Sequence, residues 1–377
     1  MALIEKQRAN VGGRPLGENA LLWHRKHACA GGVPSQSVQQ MIETEHHRIG
    51  PGQKPYLIAE IGLNHNGDLA LAKKLVDAAR TSGAHAVKFQ LYHSDHFIHE
   101  EARLGEGSLR EFFRQFELTP AQWRDLAGYS RSCGLDFFCS VFDSPSIELY
   151  ASLSPRLIKI ASCDLTNRPL IQECAHRLPG VPLMIATGTA DEAEVESLMA
   201  WIRSLSSPVI LLECVSHYPA DPEEYNIGLI QQWNKKFDVP VGISDHTSGI
   251  GVSLAACLLG AVAVERHFTT SHDLPGPDQK ISLTAETFAL MRNEIDAALS
   301  TRRSGNKQVQ KSESAPRKFG RRGVYAARDI KSGSTLSDQD LLFMRPGGDG
   351  VRPEENLAGR TLKKDKKTGD MILGEDL

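Results

Sequence analysis

The stretch 57–90, LIAEIGLNHNGDLALAKKLVDAARTSGAHAVKFQ, sets the pattern for most of the chain. It opens on a nearly continuous apolar run, Leu57–Leu63, and closes on a second, Ala86–Gln90. The amphipathic segment between them, Asp68–Ser82, has Asp68 in place to cap a helix and Gly83 to stop it. Two apolar strands joined by a helix read as neighbours in a parallel sheet covered on both faces. The alternation continues from Pro55 to about His267. Further strands are predicted at Leu135–Val141, Leu157–Ser162, Leu183–Gly188, Val209–Ser216, Val239–His246 and Ala261–Phe268. Helices are predicted at Thr119–Cys133, with Pro120 in the first position and Gly134 beyond the end, and at Glu192–Ser204 and Ala285–Ser300. The strands total eight, the number that closes a parallel barrel, so the fold class is α/β, a (β/α)8 TIM barrel. An open doubly wound sheet is the alternative and normally has fewer strands.

The rest of the chain divides around this barrel. Residues 1–46 are polar and aperiodic and are expected to form a flexible N-terminal extension, with the barrel domain at 47–300. Residues 301–316 read as a polar linker, and 317–377 as a small second domain. That domain contains an echo, DIKSGSTLSDQDL at 329–341 and DKKTGDMILGEDL at 365–377, which predicts a compact strand-and-turn fold. A domain this small buries little core and is expected to lean on a partner surface.

Composition narrows the function classes. With 41% hydrophobic and 24% charged residues, the chain is that of a soluble globular protein. Its net charge of -3 gives no reason to expect nucleic acid. No stretch approaches the ~20 apolar residues of a membrane span, and the N-terminus has no apolar core of a secretory signal, so the expected compartment is the cytoplasm. Seven cysteines do not make a disulfide scaffold; Cys133, Cys139, Cys163, Cys174, Cys214 and Cys257 are expected to be small core residues.

In a barrel the carboxyl ends of the strands face the active-site mouth. Here those ends carry Glu60, Lys88, Gln90, Lys159, Ser162, Glu213, Ser244–Asp245–His246 and Glu265–Arg266–His267. An unpartnered charge inside a strand is costly, so so many of them point to a functional mouth. A single histidine near a strand end is ordinarily a structural residue. His246 and His267 on adjacent strands suit a metal of the Mn, Fe, Co or Zn type, with positions left open for substrate. Lys88 and Lys159 read either as rim salt-bridge partners, for instance of Glu60, or as the holders of a multiply charged anion, with Ser162 and Ser244 as neutral donors. The turn Gly62–Gly67 is either a plain βα loop or a pocket wall, and Asp278 in the Gly-rich stretch 275–278 stands within reach of the mouth.

Together AEIGLNHNG (59–67), VKFQ (87–90), KIASCDLTN (159–167), ATGTA (186–190), GISDHT (242–247) and ERHFT…PGPD (265–278) resemble the N-acetylneuraminate (sialic acid) synthase family. The segment RRGVYAARDIKSGSTLSDQDLLFMRPGGDG resembles that family's antifreeze-like cap, a SAF domain of β-clip type. The match covers roughly residues 47–377. It implies condensation of phosphoenolpyruvate with an N-acylated mannosamine-type sugar, C–O cleavage and release of phosphate. It implies that His246 and His267 bind a divalent cation, Mn or Mg. Lys88, Lys159, Ser162 and Ser244 match phosphoenolpyruvate-binding positions, with Ser140 where the family has Thr. Gln90, Tyr218 and Asp278 match positions around the sugar or the metal-bound water, and Glu60 a glutamate near the reacting carbons. Arg345 matches the cap residue that reaches the acyl group in the partner subunit's site, which implies a domain-swapped homodimer.

The chain departs from the family at Glu213 for His, Ala186 for Ser, Asp164 for Glu, and Ser216 where some members have Asn. These departures are expected to gather around substrate and to bear on the sugar rather than on the reaction. A pseudaminic-, legionaminic- or spore-coat-type synthase shares the same catalytic set. A phosphoenolpyruvate enzyme acting on a phosphorylated aldose would need no cap, and a non-catalytic barrel would have no reason to keep costly polar strand ends.

Overall fold

The structure, a computed structural model, describes residues 41–302 and 304–377. The part of the expected N-terminal extension before residue 41 lies outside the described residues. The described chain divides after Ser300 into two compact units.

In the first unit eight parallel strands close on themselves. They are β1 Tyr56–Gly62, β2 Ala86–Leu91, β3 Asp136–Val141, β4 Ile158–Ile160, β5 Leu183–Ala186, β6 Val209–Cys214, β7 Val241–Ser244 and β8 Ala263–Thr269. Each pairs with the next, and β8 pairs with β1 as well as β7, which closes the barrel. A helix follows each strand: α1 Leu69–Thr81, α2 Pro120–Ser132, α3 Ser144–Ser152, α4 Arg168–Arg177, α5 Glu192–Ile202, α6 Leu229–Phe237, α7 Gly251–Leu258 and α8 Ala285–Ser300.

The expected helix starts are where the chemistry put them. The Asp68 carboxylate accepts from the backbone N–H groups of Ala70 and Leu71. Thr119 and Gln122 form a reciprocal capping box ahead of α2. Ala72, Leu75, Val76 and Ala79 form the buried stripe of α1 against the barrel. Four consecutive strands are shorter than their apolar runs at the carboxyl end. β4, β5, β6 and β7 stop at Ile160, Ala186, Cys214 and Ser244, so Ser162, Gly188, Ser216 and His246 lie just past the last paired residues.

The other end of the barrel is closed by a hairpin that pairs Ile42–Glu43 with Arg48–Ile49, and the two isoleucines join the main core. Residues 41–46, expected to belong to the extension, are therefore part of the barrel's floor. Asp136, the first residue of β3, ties the hairpin down. Its carboxylate accepts from Tyr56 Oη at 2.7 Å, the His46 N–H at 2.9 Å and Thr44 Oγ1 at 2.5 Å, and faces His47 Nδ1 at 3.1 Å. Burial alone would raise this carboxyl, but those partners hold it below its ordinary value. Among the cysteines, Cys139, Cys174, Cys214 and Cys257 are buried as expected, Cys133 is half-buried, and Cys163 is exposed, because it sits in the turn past the end of β4.

In the second unit β9 Gly323–Ala326 pairs antiparallel with β10 Leu341–Met344. The sequence echo is a structural one. Ile330 and Lys366, equivalent in the two copies, exchange backbone hydrogen bonds at 2.8 and 2.9 Å. Lys331 pairs with Asp365 at 2.6 Å while its counterpart Lys367 pairs with Asp329 at 2.7 Å. Each copy thus closes on the other, around a small core that includes Val324, Leu336, Leu362 and Ile372. No helix among the described residues is long and apolar enough to cross a membrane.

Two histidines in the first unit are held neutral. His65 is fully buried against Phe89 and Trp123, and His85 accepts the Leu57 N–H at 2.9 Å. Burial is the main cause that lowers both from the usual 6.5 to about 4. The folded state therefore binds fewer protons than the unfolded chain between those limits. Stability contributed by the two rings is complete above pH 6.5 and is lost as pH falls toward 4, at about 1.4 kcal/mol per pH unit for each ring. Urea midpoints measured across this range should fall with acid, and His85→Gln should flatten the slope.

Candidate active site

The strand register sets the site's geometry. Across the β8–β1–β2 seam His267 is opposite Glu60, and Glu60 is opposite Lys88. Gln90 is opposite Ser140, Ser140 opposite Lys159, and Cys214, Ser244 and Glu265 form a third row. Because alternate residues of a strand face opposite sides, Lys88 and Gln90 share the inner face, as do Ser244 and His246, and Glu265 and His267. All of them line a cavity of 490 Å³, together with Glu60, Ser140, Lys159, Ser162, Asp164, Ala186, Ser216 and Tyr218.

The lysines are not free cations. Lys88 Nζ lies 3.0 Å from Glu60 Oε2 and 3.6 Å from Glu265 Oε2, and donates to Ser140 Oγ at 3.1 Å. Lys159 Nζ is 3.8 Å from Glu265 Oε1 and donates to the Ile160 carbonyl at 3.3 Å. Burial works against the charge on both, but the two glutamates raise Lys88 above its ordinary value while Lys159, with the looser partner, is lowered. Burial raises the Glu60 carboxyl against the pull of Lys88. Glu265 goes the other way. Burial would raise it, but Lys159, Lys88 and the Ser244 hydroxyl at 3.0 Å hold it low.

His246 and His267 are 5.5 Å apart between ring centroids, and the Tyr218 ring lies 4.3 Å from the first and 5.7 Å from the second. His246 Nδ1 donates to the Val215 carbonyl at 2.6 Å, which leaves the lone pair on Nε2. His267 Nδ1 is buried without a hydrogen-bond partner and is 3.7 Å from Asp278 Oδ2. Burial lowers both histidines, His267 to about 4, so both rings are neutral at pH 7. Among the described residues no group of three or more His, Cys, Asp or Glu side chains has metal-holding geometry.

Glu213 corrects an expectation. It lies one residue out of phase with Cys214, does not line the cavity, and accepts the N–H of Asn226, in the loop ahead of α6, at 3.2 Å. Burial raises its carboxyl to about 7. The departure at Glu213 is thus behind the strand, whereas Ala186, Asp164 and Ser216 are at the cavity. The open question at the turn 62–67 is also answered. Asn64 Nδ2 donates to the Phe268 carbonyl and Ser282 Oγ, both at 2.9 Å, Asn66 Nδ2 to the Pro275 carbonyl at 2.7 Å, and His65 is buried away from the cavity. The turn braces the loop that carries Asp278. Gly62 has φ +53, and a Cβ there would stand 3.2 Å from Asp278 Oδ2 and 3.3 Å from Glu60 Oε1.

Sequence reasoning assigns no role to two features of the cavity. Glu265 counts there only as one of the polar strand ends, although its shared parity with His267 places it on the inner face. Phe97, Phe113 and Phe142 form an aromatic wall, with ring centroids of Phe97 4.8 Å from Phe142 and 5.5 Å from Phe113. Phe97 and Phe113 come from the segment inserted between β2 and α2, whose docking no local pattern announces. Arg345 is exposed, just past the end of β10 in the second unit.

The NeuB family model matches residues 75–307, and the SAF domain model matches 321–377. The N,N'-diacetyllegionaminic acid synthase of Legionella pneumophila is 36% identical over 344 residues, 87% of this chain and 96% of that protein. The N-acetylneuraminate-9-phosphate synthase of Mus musculus is 29% identical, over 87% of this chain and 94% of that protein. The crystal structure of the N-acetylneuraminic acid (sialic acid) synthetase of Leptospira borgpetersenii, in complex with citrate, superposes with a TM-score of 0.67 at 32% identity, covering 74% of this chain and 95% of that one. A closed barrel with this register, followed by a SAF domain and matched along most of its length, belongs to the NeuB family of sialic acid synthases, which are phosphoenolpyruvate-condensing transferases.

Proposed function

We propose that this chain condenses phosphoenolpyruvate with an N-acylated mannosamine-type sugar to give a nonulosonic acid and phosphate, with a divalent cation, Mn or Mg, on His246 and His267. The observation that carries this reading is the charge balance of the cavity. Lys88 and Lys159 are already matched by Glu60 and Glu265. A ligand bringing a carboxylate and a phosphate therefore needs added positive charge beside the lysines, and two neutral imidazoles at one edge of the same cavity supply lone pairs to hold it. The buried, unpartnered Nδ1 of His267 and the lone pair on His246 Nε2 fit that role. A divalent cation held by His246 and His267 would supply Lewis-acid polarisation of the sugar aldehyde.

The chain's own groups do the rest. Lys88 and Lys159 hold the anion, with the hydroxyls of Ser140, Ser162, Ser216 and Ser244 around it. Carbon 3 of phosphoenolpyruvate attacks the aldehyde, water adds at carbon 2, and the tetrahedral intermediate expels phosphate by C–O cleavage. Glu60, whose carboxyl is raised by burial, is suited to pass a proton to the new hydroxyl, with Gln90 donating to its Oε1 at 3.3 Å. Tyr218 and Asp278 flank the imidazoles and orient the sugar or a water. Arg345 reaches the acyl group from the partner subunit in a domain-swapped homodimer, and the cytoplasm is the expected place of work.

A second reading, a legionaminic-type sugar, is favoured by two observations. The aromatic wall of Phe97, Phe113 and Phe142 suits methyl and acylamido groups better than a row of hydroxyls. The higher identity to the Legionella protein points the same way.

The reaction is tested by phosphate release and product mass with phosphoenolpyruvate, Mn and a panel of N-acyl hexosamines. Activity should vanish after exhaustive EDTA treatment and return with Mn; full activity in EDTA would overturn the metal assignment. Lys159→Met should lower kcat/KM at least about a thousandfold, ~4 kcal/mol, with the melting temperature held. Gly188→Ala should raise KM for phosphoenolpyruvate tenfold or more, since a Cβ there would come within 2.3 Å of Ser216 Oγ and 2.9 Å of Ser162 Oγ. Arg345→Ala should raise KM for the sugar and leave KM for phosphoenolpyruvate unchanged, a split read from steady-state kinetics.

A further inference from the structure

We infer that the Asp245–Arg266 ion pair is a positioning device that sets the spacing of His246 and His267 and so the affinity of the site for its cation; this rests on the metal reading above. Each member of the pair immediately precedes one of the histidines. Strand alternation sends the histidines inward and Asp245 and Arg266 outward, where their side chains are 0% and 1% exposed.

The β7–β8 seam explains why a device is needed there. Its ladder has two rungs, Ile243 opposite Val264 and Ser244 opposite Glu265, and ends before either histidine. Beyond it the Asp245 N–H donates to the Glu265 carbonyl at 3.0 Å, and then the ion pair takes over at 2.6 Å. Arg266 also donates to the Gly249 carbonyl at 2.7 Å, to the Thr247 carbonyl at 2.5 Å and to Ser253 Oγ at 3.3 Å. Asp245 accepts from the Thr247 N–H at 2.9 Å, Thr247 Oγ1 at 2.8 Å and the Ser253 N–H at 3.0 Å. One planar guanidinium therefore fastens the end of β7, the loop beyond it and the start of α7 to β8. An ammonium is a single point with no fork and cannot serve these acceptors together.

Stability alone does not require this arrangement. A buried ion pair is often no more stabilising than apolar residues of the same volume, although removing one partner is costly. What the pair adds is a fixed distance between two strand ends that carry ligands, the kind of outer contact that commonly tunes metal affinity.

The test is Mn binding by the full-length protein without substrates, followed by the electron paramagnetic resonance of free Mn. Arg266→Lys and Asp245→Asn should bind Mn at least tenfold more weakly than wild type, with kcat falling more than KM for phosphoenolpyruvate. Asp136→Asn, which breaks a buried carboxylate network on the barrel floor, should lower the melting temperature and leave Mn affinity unchanged. If Arg266→Lys fails to fold, the neutral pair Asp245→Asn/Arg266→Gln is read the same way. Wild-type affinity in the folded variants, or an equal loss in Asp136→Asn, would overturn the inference. Absence of Mn binding by the wild-type protein would overturn the metal reading itself, and the positioning role with it.

Discussion

Four buried charged side chains, Glu60, Lys88, Lys159 and Glu265, meet inside the barrel, beside the hydroxyls and imidazoles that line the same cavity. A charge in that environment persists only with a partner of opposite sign, and the strand register supplies the partners. Glu60 and Lys88 are opposite each other across the β1–β2 ladder, while Glu265 reaches both lysines from β8. The match is unequal. Lys88 has two carboxylates close by and Lys159 has one at 3.8 Å, so Lys159 is the cation with most to gain from an incoming anion.

The outward faces of the same strands do different work. Asp245, Arg266 and Glu213 each sit one residue out of phase with a group on the cavity and contact the helix layer or its loops. On the floor, Asp136 performs a comparable service for the hairpin at 42–49. The barrel thus has a reactive end and a sealed end, and both are organised by buried carboxylates with several donors apiece. The loops at the mouth are braced in turn, since Asn64 and Asn66 tie the β1 turn to the segment that carries Asp278.

Much of this was legible in the chain. The eight apolar runs, the caps at Asp68 and Thr119 and the echo in the last 50 residues depend on neighbours in sequence, and local patterns carry them. The polar strand ends were legible as a group for the same reason. Which of them face the cavity was less so, because a residue's side of the strand depends on the phase of the whole strand. Glu213 and Glu265 look alike in sequence, yet one faces the helices and the other bridges two lysines.

By itself, then, the sequence determined the number and kind of the elements, where helices start, and which chemical groups stand at the strand ends. These follow from hydrophobic period and capping, which act over a few residues. Only the tertiary structure decided that Lys88 and Lys159 are already paired, that Phe97, Phe113 and Phe142 meet as one wall, and that a buried Arg266 fastens the strand ends of two histidines. Those contacts join segments far apart along the chain, and their distances are fixed by barrel closure and register rather than by any local propensity.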